Sequence, residues 1–467
     1  MKLDELALST LTEVSALIKT RQVSPVELTE AMLARIEKID PKLHSYATVT
    51  PDVALSQAKA AELEIGQGRW RGPLHGIPIG LKDLCFTKGI PTAGGMSLYA
   101  GWKPEEDGTV VERLRLSGAV LLGKLQMTEG AYADHHPKVE RPLNPWNADH
   151  WAGASSSGSG VATAAGLCFG SIGSDTGGSI RFPSAMNGVT GLKPTWGRVS
   201  RHGSFVLSAS LDHLGPMTRC AADAAAMLAA IAGLDDKDPT TLPAAVPDYV
   251  GALESGVLGA RGLRIGIDPR FNGQDVEPLV ARLTAEAGNV FAALGAEIVE
   301  IAFPDVTAVR KAWAPFCAAE TALVHKDTYP SRKSEYGATL AGFLDLGLGT
   351  GALTLAEAAV ERDKFKGRLA RLFTSVDLVL MPAMFMGGPT FAQMTLSEAS
   401  TIDKLLKFTC PLDMSGSPTI TMPCGFTDGG LPVGFQLVGP HLGEDVLLRA
   451  GHAYQQATDW HTRHPSV

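Results

Sequence analysis

The sequence predicts an α/β fold in which helices cover both faces of a β-sheet. Short, wholly apolar runs of strand length recur along the chain, and stretches with the helical spacing of apolar residues separate them. The composition agrees, because 45% of the 467 residues are hydrophobic and only 19% are charged. A chain of this length and polarity can bury a large core.

The first 65 residues predict a helical segment. Ser24 offers a capping hydroxyl directly before Pro25, which suits the first position of a helix. Thr10 and Glu13 have the spacing of a capping box and indicate an earlier helix. A further helix is predicted over Ala54–Ile65.

The strands and helices of the α/β pattern follow this segment. Strands are predicted at Ile77–Leu81, Ala119–Leu122, Leu263–Ile267, Leu378–Met381 and Thr419–Met422. Helices are predicted between them, at Val110–Leu116, Leu279–Leu294 and Asp445–Ala457. A stretch rich in Asp and Pro, Gly233–Tyr249, reads as a connector inside the fold rather than a domain boundary.

Charge and cysteine usage exclude several classes of protein. With 41 basic and 49 acidic residues the net charge is −8, and without a basic block we expect no nucleic-acid binding. No apolar run approaches the ~20 residues of a membrane span, and the acidic start Met1–Glu5 does not resemble a signal peptide. Six scattered cysteines predict reduced thiols and a cytoplasmic location: Cys85, Cys168, Cys220, Cys317, Cys410 and Cys424.

The centre of the chain is rich in glycine and serine. Gly153–Gly160 and Gly173–Pro183 flank a small apolar stretch, Val161–Phe169, which we predict as a closely packed helix. Composition alone is also typical of flexible linkers. Because apolar segments flank both runs, we place them inside the domain, where glycine permits close approach of a ligand or positive φ angles.

Other motifs are incomplete. Gly118–Leu125 has the spacing of a phosphate-binding loop, but Leu125 stands where a magnesium-binding hydroxyl is needed. No Gly-x-Ser-x-Gly elbow and no His-Glu-x-x-His occurs, and His135-His136 is a pair without further ligand spacing. We therefore predict no metal site.

Several motifs in order resemble the amidase signature family of serine hydrolases. They are Gly76–Asp83, Gly153–Gly160, Gly173–Pro183, Gly191–Ser200, Ser210–Pro216, Gly416–Pro423 and Leu431–Gly439. The resemblance implies one α/β/α domain over residues 1–467 around a large, twisted, mixed β-sheet. Its catalytic core would span 72–220, and 221–467 would supply the rest of the sheet and the substrate-pocket loops.

The resemblance also implies a catalytic triad. Ser179 would be the nucleophile, Ser155 the bridging serine after a cis peptide, and Lys82 the general base. The two serines are 24 residues apart (179 − 155), as in the family pattern. This chain departs from the pattern at Ala154 and Ser157, where the family usually has glycine.

Further roles follow by position. Backbone N–H groups of Thr176, Gly177 and Gly178 would form the oxyanion hole, and Ala131 and Tyr132 would approach the substrate. Asp175 and Arg181 are expected to brace the loop between them. The segment Met381–Phe391, with Met384, Phe385 and Met386, reads equally as an apolar pocket wall or as core.

The chemistry needs a neutral lysine. A serine hydroxyl is a weak nucleophile that requires a base, and a lysine with its ordinary pKa is charged at neutral pH. Burial disfavours the charged form, and Lys82 follows an apolar strand, so a lowered pKa is expected. The mechanism needs no metal or organic cofactor.

The predicted function is hydrolysis of a small, apolar or aryl amide through an acyl-enzyme, with carbamates, esters and ureas left open. One alternative is the glutamine-hydrolysing component of a tRNA-dependent amidotransferase. Another is a catalytically silent binding protein on the same fold. The expected partner is a small-molecule amide, without nucleic acid or membrane, and homodimer formation is left open.

Overall fold

One large sheet organises the molecule. The structure is a computed structural model that describes residues 3–394 and 399–467. Within those residues eleven strands join in the order β1-β3-β2-β4-β6-β5-β10-β11-β9-β7-β8. The strands are β1 Tyr46–Val49, β2 Pro78–Lys82, β3 Val120–Leu125, β4 Gly170–Asp175, β5 Thr190–Lys193, β6 His213–Thr218, β7 Arg264–Ile267, β8 Glu297–Glu300, β9 Leu378–Pro382, β10 Thr419–Phe426 and β11 Pro432–Val438.

Helices surround this sheet. They are α1 Leu3–Leu6, α2 Leu11–Lys19, α3 Pro25–Leu43, α4 Pro51–Gly66, α5 Thr109–Leu116, α6 Ser157–Ala164, α7 Arg181–Asn187, α8 Ala221–Ile231, α9 Pro269–Gly273, α10 Pro278–Ala293, α11 Thr307–Val324, α12 Ala338–Gly349, α13 Ala352–Leu372, α14 Ala399–Leu405, α15 Cys410–Ser415 and α16 Glu444–Gln456. Short 3₁₀ helices lie at Ser97–Tyr99, Glu129–Ala131, Gly251–Leu253, Gly256–Ala260, Lys333–Glu335, Leu406–Phe408 and Trp460–Thr462.

The sheet is mixed. β2 runs parallel to both β3 and β4, and β7 runs parallel to β8 and β9. The pairs from β4 through β6, β5, β10 and β11 to β9 are antiparallel. The predicted α/β class and the mixed sheet are confirmed, and each of the five predicted strands is present.

Local sequence explains how the N-terminal helices begin. The hydroxyl of Thr10 accepts the Glu13 N–H, and the Glu13 carboxylate accepts the Thr10 N–H, which completes the predicted capping box. The hydroxyl of Ser24 accepts the N–H groups of Val26 and Glu27, and Pro25 occupies the first position of α3.

The middle of the sheet is fully buried. Every residue of β2, β3, β4, β5, β6 and β11 is buried, whereas the edge strand β8 is largely exposed. The helix predicted over 161–169 instead occupies Ser157–Ala164, because the chain must turn at Gly166 to enter β4 at Gly170. The six cysteines are buried and unpaired, as predicted.

In the described ranges, no single helix is long and apolar enough to cross a membrane. The bent pair α12 and α13, with 99° between its helices, passes the same test of length and composition when taken together.

Candidate active site

Lys82 lies at the carboxyl end of β2, in the middle of the sheet. Its side chain is completely buried, with 0% of its surface exposed. The parallel neighbour β4 brings Ser174 to the same edge. The adjacent Asp83 faces away, because its carboxylate accepts the N–H groups of Ala93 and Gly94.

Three hydroxyl groups surround the Lys82 amine. Its Nζ lies 2.6 Å from Oγ of Ser155, 2.9 Å from Oγ of Ser156 and 2.8 Å from Oγ of Ser174. The structure therefore brings together two of the predicted catalytic residues, Lys82 and Ser155. It adds Ser156 and Ser174, which sequence reasoning did not assign to the site.

Burial changes the acid–base chemistry of Lys82. Loss of hydration lowers the pKa of Lys82 from 10.5 to about 7, against the smaller opposing influence of the carboxylates of Asp175 and Asp212. A buried amine with this pKa exchanges a proton readily at neutral pH, as a general base requires.

Ser156 restricts how the amine can be oriented. Its hydroxyl lies 3.0 Å from the Ser174 carbonyl, to which it donates, and it accepts the Ser174 N–H at 3.1 Å. With its proton committed to that carbonyl, Ser156 can only accept from Lys82. It makes no capping bond to α6, so the alternative interpretation of the serine run as a helix cap does not apply to this residue.

Ser155 and Ser179 meet where two loops cross. The Ala154–Ser155 peptide is cis. The N–H of Ser156 donates to the carbonyl of Ser179 at 3.3 Å, which ties the two loops together. Ser179 is half-buried and lines a cavity, and within residues 3–394 and 399–467 its hydroxyl has no hydrogen-bond partner.

The loop before Ser179 provides backbone donors. In the described part of the chain the N–H groups of Thr176, Gly177 and Ser179 find no acceptor, so they are available to a ligand oxygen. The expectation that Gly178 joins them is wrong. Its N–H donates to Oδ1 of Asp175 at 2.7 Å, and its own contribution is a backbone with φ 134° that only glycine adopts easily.

Asp175 and Arg181 brace this loop, as predicted. The Asp175 carboxylate also accepts the Ile180 N–H and two guanidinium N–H groups of Arg181, at 3.0 and 2.8 Å. Burial alone would raise the pKa of Asp175, but the Arg181 charge holds it below its ordinary value. Arg181 also pairs with Asp413 on α15 at 2.6 Å, a partner that sequence reasoning missed.

The cavity beside Ser179 is apolar. It has a volume of about 340 Å³. Aromatic and aliphatic side chains of widely separated segments line it: Tyr132, Trp151, Phe182, Leu207, Trp313, Phe343, Leu346, Ile402, Leu405 and Leu406. No charged side chain is among its described lining residues.

Aromatic stacking shapes the wall of this cavity. Tyr132 stacks on Phe343 with ring centroids 3.9 Å apart, and Phe343 lies parallel to Trp313 at 6.2 Å. The Trp313 indole N–H donates to the carbonyl of Thr176 at 2.9 Å, which couples the wall to the donor loop. Ala131 also lines the cavity, so both predicted substrate-contacting residues lie there.

The segment around Met384 is core. Met384 and Phe385 are buried in the main hydrophobic cluster, and they are not among the residues that line the Ser179 cavity. The wall comes instead from α11, α12 and α14.

Comparison with known proteins places the chain. The family model described as Amidase matches residues 27–448. The chain belongs to the amidase signature family. It is 47% identical over 470 residues to the AmiD protein of Mycobacterium tuberculosis, whose amidase name is itself an inference, with 100% of this chain and 98% of that protein covered.

Two further members of the family are instructive. The glutamine-hydrolysing component of the glutamyl-tRNA(Gln) amidotransferase of Methylococcus capsulatus is 39% identical over 486 residues, with 98% of each chain covered. The solved peptide amidase of Stenotrophomonas maltophilia superposes with a TM-score of 0.84 at 31% identity, with 99% of each chain covered. As an amidase signature protein, the chain is a hydrolase acting on carbon–nitrogen bonds of amides.

Proposed function

We propose that the protein hydrolyses small, neutral carboxylic amides with an apolar or aryl acyl group, using Ser179, Ser155 and Lys82. The observation that carries the proposal is the uncharged aromatic cavity beside Ser179. An apolar acyl group gains about 25 cal/mol for each Å² that it buries there. The same acyl chemistry would accept carbamates, esters and ureas.

The proposed reaction begins with proton transfer. Ser179 Oγ attacks the amide carbonyl while its proton passes to Ser155 Oγ, whose own proton passes to Lys82 Nζ, 2.6 Å away. The carbonyl oxygen becomes an oxyanion that the free N–H groups of Thr176, Gly177 and Ser179 stabilise.

The proton then returns by the same route. Lys82 gives it to Ser155, Ser155 gives it to the leaving nitrogen, and the carbon–nitrogen bond breaks to leave an ester on Ser179. Water attacks that ester with Lys82 again acting as base through Ser155, which releases the carboxylic acid and restores the serine. These steps use only side chains and backbone, so the proposal includes no cofactor.

A glutaminase is the second candidate, because of the similarity to the amidotransferase component. Free glutamine carries an ammonium and a carboxylate, and burying them without partners is unfavourable. Among the described residues, the cavity beside Ser179 offers no charged side chain to meet them. We therefore rank the neutral amide first and exclude nucleic acid and membrane from the proposal.

The buried, unpaired thiols support a reducing compartment and hence a cytoplasmic location for the proposed enzyme.

One experiment tests the assignment directly. Wild-type protein should be labelled by a fluorophosphonate at Ser179 and should hydrolyse benzamide in a panel with acetamide, an anilide, a carbamate and glutamine. Ser179→Ala should lose both the label and at least about 10³ in rate. The control is Ser117→Ala, since Ser117 bonds only its own helix end at the Leu114 carbonyl.

An unlabelled but folded wild-type protein would favour a silent binding protein. Hydrolysis confined to glutamine, and only with a co-purifying partner, would favour the amidotransferase component.

A further inference from the structure

A second cavity adjoins the one beside Ser179. It has a volume of about 690 Å³ and shares Ala133, Trp151 and Thr339 with the apolar cavity. Its lining also includes Ala152 and Gly153, two and three residues before Ser155. In the proposed reaction Ser155 returns the proton to the leaving nitrogen, so the second cavity lies on the side where the amine departs.

His135 is held at the edge of this cavity by a residue particular to the chain. Its Nε2 lies 3.1 Å from Oγ of Ser157, which stands where the family usually has glycine. Within the described ranges Nδ1 has no hydrogen-bond partner, which leaves it available to a ligand. Burial lowers the pKa of His135 to about 4, so the ring is neutral at pH 7 and can still donate one N–H.

The electrostatic surroundings of His135 are positive. The two charged groups that act on its ring are the cations of Arg141 and Lys82. Arg141 also lines the cavity, where its guanidinium lies over the Phe391 ring at 3.7 Å. Among residues 3–394 and 399–467 it has no acidic partner within ion-pair distance.

The two acidic groups of the cavity are engaged elsewhere. Glu129 accepts the N–H of Gly337, which fixes the start of α12. Asp134 accepts the hydroxyl of Thr339 at 2.8 Å. Neither acts on the His135 ring as strongly as Arg141 and Lys82 do.

We propose that the second cavity receives the leaving amine, and that Arg141 and His135 select amines that carry a carboxylate. The preferred substrate class is then an N-acyl amino acid whose apolar acyl group occupies the cavity beside Ser179. A guanidinium and an imidazole N–H together suit the two oxygens of a carboxylate. The inference rests on the proposed amide hydrolysis.

The overall reaction is balanced. One water is consumed, the amide carbon–nitrogen bond breaks, and the acyl carbon gains an oxygen. At neutral pH an N-acyl amino acid anion yields a carboxylate and a zwitterionic amino acid, so there is no net release of protons. No oxidant, reductant or second substrate takes part.

The test compares substrates that share one acyl group. They are benzamide, N-benzoylglycine, N-benzoylglycinamide and N-benzoylethylenediamine, whose leaving amines are ammonia or carry a carboxylate, a neutral amide or an ammonium. We expect kcat/KM for N-benzoylglycine to exceed that for the glycinamide by about tenfold, as one charge-assisted contact provides. Arg141→Met should remove most of that preference, chiefly through KM.

Two further variants sharpen the comparison. Ser157→Gly, which removes the hydroxyl that holds His135, should reduce the carboxylate preference by roughly threefold, since a neutral hydrogen bond contributes about 1 kcal/mol. Arg282→Met is the matched control, because Arg282 is an exposed residue of α10 paired with Glu286, and it should leave the preference unchanged.

Each outcome separates the inference from the proposed function. Equal rates for the three substituted amides, a preference for the ammonium, or a preference that survives Arg141→Met would overturn the inference alone. Failure to hydrolyse any substrate, benzamide included, would overturn the proposed function and the inference with it.

Discussion

The depressed pKa of Lys82 makes a prediction that can be measured in two ways. If the neutral amine is the base, kcat/KM should rise with increasing pH, with unit slope below a bend near pH 7, as Lys82 loses its proton. Replacing the amine should remove both the bend and most of the rate. Lys82→Ala deletes it, and Lys82→Arg substitutes a cation that cannot lose its proton at accessible pH.

The magnitude follows from the pKa. With the ordinary value of 10.5, the amine would be neutral in roughly one molecule in 3,000 at pH 7, whereas a pKa of about 7 makes about half of the molecules competent. The burial responsible therefore favours the neutral form by roughly 5 kcal/mol. We expect either substitution to lower kcat by about 10² to 10⁴, the usual contribution of a positioned base.

The assay is the initial rate of benzamide hydrolysis between about pH 5 and 9, with thermal unfolding of each variant as a check on folding. The matched control is Lys124→Met. Lys124 is a second buried lysine, on the neighbouring strand β3, and its amine bonds the Cys85 carbonyl and Thr92 rather than the catalytic serines. The bend near pH 7 should persist in that variant.

Two results would refute the reasoning. One is a folded Lys82→Ala protein that keeps its kcat to within tenfold. The other is a wild-type profile that is flat from about pH 5 to 9, since no group with the pKa of Lys82 would then control the reaction.

Other predictions concern the surroundings of the triad. Ser156→Ala should lower kcat about tenfold with KM unchanged, because the hydroxyl orients Lys82 and does not line the substrate cavity; a change confined to KM would contradict that role. Asp175→Asn should cost about 3–5 kcal/mol in urea unfolding at pH 7, because Arg181 loses a buried partner. Since the pKa of Asp175 is depressed, its stabilisation is present above about pH 4 and is lost as the pH falls through the folded value; stability that is equal in both proteins at pH 7 would refute it. Trp313→Ala should raise KM for benzamide about tenfold by removing a wall of the cavity, and an unchanged KM would place the acyl group elsewhere.

Part of the site could be predicted from the sequence. Lys82 at the end of an apolar strand and Ser155 in a glycine–serine loop stand in motifs of known order, and the structure places their side chains 2.6 Å apart. Ser156 and Ser174 escaped notice because a serine hydroxyl reads equally as a cap, a turn or a solvated group. Only the fold shows that Ser174 shares a sheet edge with Lys82.

The remainder depended on tertiary packing. β4 reads Gly-Ser-Ile-Gly-Ser-Asp, which local propensity assigns to a loop, yet burial between two strands makes it part of the central sheet. Gly178 was expected to donate to an oxyanion, but the direction of the Asp175 side chain decides where that N–H points. The cavity wall at Trp313 and Phe343 lies more than 130 residues after Ser179, on helices whose apolar faces could equally have been core.

The placement of Lys82 and Ser174 at the ends of adjacent parallel strands has an evolutionary consequence. Their separation is inherited from the spacing of hydrogen-bonded strands, which mutation in surrounding helices scarcely alters. The compartment for the acyl group, by contrast, is assembled from α11, α12 and α14. Descendants of this scaffold can therefore acquire new substrates by replacing side chains on those helices while their reaction machinery stays intact.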